Sequence, residues 1–68
     1  MNSQQTQVPQ QFRQYMPLVN ADVAYAYAQT PDKLAFVADL TGASVDSSLT
    51  EWLEFQIEGL AVALGYMD

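Results

Sequence analysis

The 68-residue sequence contains no cysteine and no histidine. No disulfide can staple the fold, and thiolate and imidazole metal sites are excluded. Ser-His-Asp and Cys-His nucleophilic mechanisms are excluded as well. Bases are nearly missing: Arg13 and Lys33 stand against eight acids, for a net charge of −6. Nucleic-acid affinity comes largely from neutralising phosphate with Lys and Arg, so nucleic acid is not the expected partner. With three glycines there is no Gly-rich phosphate loop. Asp46-Ser47-Ser48 lacks the spaced acids and the glycine of a calcium loop. No apolar run approaches the roughly 20 residues that span a bilayer. Residues 1–5 have neither a basic stretch nor an apolar core, so no secretory leader is expected and the expected compartment is the cytoplasm. No cofactor, metal or membrane contact is expected, and the chain is not expected to be an enzyme.

Half of the residues are apolar, too many for a wholly disordered chain. The length suits one small domain. Six of the eight glutamines fall in residues 1–14, with Pro9 and no helical stripe. Residues 1–19 therefore read as a Gln-rich N-terminal arm, flexible over 1–14. Tyr15-Met16-Pro17-Leu18-Val19 is its more apolar end, where Pro17 argues against a helix. Residues 20–68 read as a strand–helix–helix interaction domain.

Residues 22–29 alternate large and small side chains. As a strand they place Val23, Tyr25 and Tyr27 on one face and Ala24, Ala26 and Ala28 on the other. As a helix, Asn20 would cap and the alanines would favour it, but Tyr25 would face away from Val23. The strand keeps the three larger side chains together and is the preferred reading; an all-α three-helix domain is the alternative. Thr30-Pro31-Asp32 opens a helix of about 11 residues, with Thr30 as cap and Pro31 in the first position. Leu34, Val37, Ala38 and Thr41 share a face of it, Leu40 lies at the margin, and Gly42 ends it. A second helix runs from about 47 to 64, capped by Asp46 or by Ser48, the latter in a capping box with Glu51. Gly65 stops it, and Gly59 in its interior suggests either close packing or tolerated weakness.

At about 100° per residue, Leu49, Leu53, Ile57, Leu60 and Leu64 form a core stripe. Glu51, Glu54 and Glu58 form an acidic ridge. Phe55, Gly59, Val62 and Tyr66 make a second apolar line, joined to the first through Trp52 and Ala63. One short helix cannot cover so wide an apolar arc, so a second chain is expected, in the first place another copy.

The turn Gly42, Ser44, Asp46 followed by Leu49, Leu53 and Ile57, with Leu34, Val37 and Ala38 before the glycine, resembles ribbon–helix–helix proteins of the Arc/MetJ kind. The resemblance spans roughly residues 22–60. It implies an intertwined homodimer in which each chain lends one strand to a shared ribbon. Val23, Tyr25, Tyr27, Leu34, Val37, Leu49, Trp52, Leu53, Ile57, Leu60 and Leu64 would form the common core. It also implies DNA binding through Arg13, Ala24, Ala26 and Lys33. Yet the outward ribbon positions are alanines, which make no bidentate base contact.

The preferred expectation is a small acidic homodimeric regulator or inhibitor that occludes a basic, nucleic-acid-binding protein. Glu51, Glu54 and Glu58 would steer the partner, and Phe55, Val62 and Tyr66, with Trp52, would anchor it. Small acidic inhibitors of phages and mobile elements are similar in composition. A DNA-binding ribbon–helix–helix regulator is the alternative function, and a structural subunit completed by a larger assembly is a third.

Overall fold

The computed structural model describes residues 8–68. A 3-10 helix over Gln10–Leu18 is followed by α1 (Ala21–Gln29), α2 (Lys33–Thr41) and α3 (Ser48–Ala63). Among the described residues there is no strand. The expected N-terminal strand is therefore corrected, and the shared ribbon and its intertwined dimer go with it; the all-α alternative matches. Alanine-rich α1 is capped by Asn20, whose side chain accepts from the Val23 amide at 2.9 Å. Its buried residues are Ala24 and Tyr27, three apart, as a helix requires. Val23 is half-buried and Tyr25 is exposed, so the large side chains that a strand would have grouped are separated.

Gln10–Leu18, within the expected Gln-rich arm, follow a 3-10 path in the structure, Pro17 included. Residues 1–7 of that arm, with the leader-peptide reading, lie outside the described residues. Pro17 is the second-last residue of the helix, so the one bond that its missing N–H forgoes is in the last turn and only Leu18 follows it. Its carbonyl accepts from Asn20 Nδ2 at 2.8 Å, which joins the 3-10 helix to the cap of α1.

The caps sit one or two residues from their expected places. Thr30 serves instead as the C-cap of α1, its amide donating to the Tyr27 carbonyl at 3.2 Å. The cap of α2 is Asp32, whose carboxylate accepts from the Ala35 amide at 3.3 Å. For α3 the cap is Ser47, between the two expected candidates; its Oγ accepts from the Thr50 amide at 3.1 Å. That register leaves Glu51 one residue too far along for a capping box. Gly42 ends α2 with φ 81°, its amide donating to the Ala38 carbonyl at 2.8 Å. Gly65, with φ 82°, ends α3 in a Schellman turn. There the Tyr66 amide donates to the Ala61 carbonyl and the Gly65 amide to that of Val62.

Helices α1 and α2 pack on one side of α3 and touch each other. The core is Ala24, Tyr27, Val37, Leu53, Ile57 and Ala61. Burying side chains the size of Leu53 and Ile57 contributes about 1.5–3 kcal/mol each. The buried stripe of α3 is Thr50, Leu53, Ile57 and Ala61, rotated from the expected leucine line. Leu49 and Leu60 are half-buried, Leu64 is exposed beyond the helix end, and Leu34 is exposed on α2. The smallest dimension of the molecule is 17 Å, room for two layers of helices, and the 3-10 helix also meets α3, through Phe12 and Trp52. No helix among the described residues is long and apolar enough to cross a membrane.

Candidate functional site

The register of α3 decides what it offers to solvent. With Leu53 and Ile57 turned inward, Phe55 and Val62 fall opposite them and are 72% and 44% exposed. They are seven residues apart, on one line along the outer face. Glu51 and Glu58, also seven apart and both exposed, lie beside them. The outer face of α3 thus carries an apolar row and an acidic row in parallel. Gly59 lies between Phe55 and Val62, and a Cβ built there meets nothing within 4 Å. Close packing is therefore not the reason for this glycine.

The third glutamate of the expected ridge has another job. Glu54 is half-buried at the flank of α3, where its Oε2 accepts from the Tyr27 phenol at 3.0 Å. Burial, the hydrogen bond to Glu54 and the charges of Glu54 and Glu58 hold the Tyr27 hydroxyl well above the ordinary tyrosine range. Glu54 therefore braces α1 against α3, while Glu51 and Glu58 face outward. Asp46, Ser47, Glu51 and Glu54 line a cleft of about 330 Å³ whose apolar wall is Leu34 and Val45. Glu51 borders both the cleft and the outer face.

Aromatic residues frame the surface. Tyr66 is 37% exposed and meets Tyr25 edge-on, with ring centroids 5.3 Å apart. Trp52, expected at a shared core, is half-buried beneath Phe12 of the 3-10 helix, with centroids 5.2 Å apart. Of the expected anchors, Phe55, Val62 and Tyr66 are thus at the surface, and Trp52 is largely occupied within the chain. The sequence reading assigned Tyr25 to the core; its place on α1 opposite Ala24 and Tyr27 puts it outside.

The structure does not bring together the residues expected to touch DNA. Ala24 is fully buried. Lys33 donates from Nζ to the Thr30 carbonyl at 2.8 Å and lies 5.8 Å from the centre of the Tyr27 ring, a cation–π arrangement. Arg13 and Ala26 are exposed, but on separate elements and without a ribbon to carry them. Among the described residues, no three acids come together to hold a metal ion. Comparison of the chain with protein-family models, with curated proteins and with solved structures finds no match.

Proposed function

We propose that this chain is a protein-interaction module, a regulator or inhibitor that binds a basic protein through the outer face of α3. The observation that supports it is Phe55, 72% exposed beside Val62 and alongside the outward Glu51 and Glu58. A large aromatic left in water is an anchor in search of a pocket, and the flanking carboxylates favour a positively charged rim around that pocket. The net charge of −6 extends this preference over long range. A nucleic-acid-binding surface is the protein surface richest in exposed Lys and Arg, and its occlusion is the action that this chemistry suits. The role is one of binding and not of catalysis, in the cytoplasmic setting expected from the sequence.

The test is affinity capture from the source cell with the wild type, Phe55→Asp and the double variant Glu51→Lys/Glu58→Lys, then titration with the purified captured protein. A basic protein bound by the wild type and held at least about tenfold more weakly by both variants is the expected result. Equal binding by all three, or capture of acidic proteins only, would refute the reading. Duplex DNA is the control, and it should not be retained.

A further inference from the structure

The outer face of α3 also carries information about the shape of what it binds, on the reading just given. Phe55, Glu58, Gly59 and Val62 occupy positions i, i+3, i+4 and i+7 of one helix, the four corners of a diamond on its surface. Four residues so spaced form the hole that receives one side chain of a partner helix in knobs-into-holes packing. Here the corner at Gly59 has no side chain and open space above it, so the hole is wide. A glycine inside an exposed helix weakens that helix relative to alanine, and among the described residues nothing needs the space.

We propose that this hole takes a large apolar side chain from an amphipathic helix lying along α3, and that basic residues of that helix meet Glu51 and Glu58. Charge complementarity selects the occupant. The seven-residue spacing of both the apolar and the acidic row matches the repeat of a helix crossing at a shallow angle. A second copy of the chain is a poor occupant, because α3 holds three glutamates and no base. Two copies would add acid to acid at a net charge of −6 each, with Lys33 already engaged on α2 and only Arg13 exposed to offset it. A peptide that adds as a strand would need a sheet edge to extend, and the described residues contain no strand.

The experiment is a titration of the full chain with two synthetic peptides of equal composition. One arranges leucine and lysine as an amphipathic helix of three heptads; the other scrambles them so that no apolar face forms. Each is titrated against the wild type and against Gly59→Leu, which fills the hole, with circular dichroism and denaturant unfolding of the variant as the check on its fold. The expected result is tight binding of the amphipathic peptide only, reduced about tenfold or more by Gly59→Leu in a variant that remains fully helical. Equal binding of both peptides, indifferent to Gly59→Leu, would overturn the helix-in-hole arrangement and leave the acidic-module reading standing. Binding of neither peptide would overturn both. A mass of two chains in light scattering that Gly59→Leu reduces to one would also overturn the proposal, by making a second copy the occupant.

Discussion

The Tyr27 phenol donates its proton to Glu54 Oε2 at 3.0 Å, across 27 residues of chain, and so ties α1 to α3 at the edge of the core. Tyr27 is almost wholly buried, whereas Glu54 still reaches water. The bond is therefore asymmetric. Losing the carboxylate strands a buried hydroxyl, and losing the hydroxyl leaves a carboxylate that can rehydrate. Glu54→Leu is expected to destabilise by about 1–3 kcal/mol, and Tyr27→Phe by less, on the order of 1 kcal/mol. Urea unfolding of the two variants measures the difference, and the reverse order would refute the asymmetry.

The same pair sets an alkaline limit. The phenol's proton affinity is raised in the folded state, so the folded chain holds this proton where the unfolded chain has released it. The stabilisation is fully present below the unfolded value of about 10 and is lost as pH rises above it, by at most about 1.4 kcal/mol per pH unit. Unfolding free energy measured from pH 8 to 11 should fall above about pH 10, and the fall should be shallower in Tyr27→Phe.

Replacing Gly59 by alanine should stabilise the free protein by about 0.5–1 kcal/mol, because the site is helical, exposed and sterically open. The denaturation midpoint should rise with no change in slope. A destabilised variant would mean that the free chain does pack something against this position.

The start of α3 rests on Ser47 and Thr50. Thr50 is fully buried; its Oγ1 donates to the Ser44 carbonyl at 2.8 Å and accepts from Ser47 Oγ at 3.0 Å. Ser47→Ala should cost about 1 kcal/mol, whereas Ser48→Ala, one residue into the helix, should be nearly neutral. Thr50→Val should cost about 0.5–1.5 kcal/mol, the worth of one hydrogen bond, since the exposed Ser44 carbonyl keeps the Ser47 amide as a donor. Thermal melts of the three variants rank them.

Phe12 shields Trp52 from water. Phe12→Ala should shift the emission of this single tryptophan to longer wavelength and lower stability by about 0.5–1.5 kcal/mol, the range for an aromatic pair. Unchanged emission would mean that the 3-10 helix does not rest there in solution.

What the sequence made legible was local. Gly42 and Gly65 stop helices because the chain needs a left-handed residue there, and each can be read from its neighbours alone. The outward Phe55, Val62, Glu51 and Glu58 followed from one helical projection, as did the inward Leu53 and Ile57. Residues 22–29 were not legible, because eight residues of alternating size satisfy a period of two and a period of 3.6 about equally. The deciding contact is Ala24 and Tyr27 against the rest of the core, which lies far along the chain. Glu54 looked like its two neighbours on the ridge for the same reason: its partner is on another helix. The cap of α2 was misplaced because Thr30 is taken up by the end of α1, a helix that the strand reading did not include, and Asp32 offers a capping carboxylate two residues on.

The connections between helices are short: Thr30–Asp32 joins α1 to α2 and Gly42–Ser47 joins α2 to α3. The contact between α1 and α3 therefore closes only the segment Thr30–Ser47, and of the elements that meet α3 the 3-10 helix, through Phe12 and Trp52, is the distant one. Chains built from such local closures lose little entropy before their contacts reward them, and they fold in microseconds to milliseconds. A chain of this build reaches its folded shape almost as soon as it is synthesised.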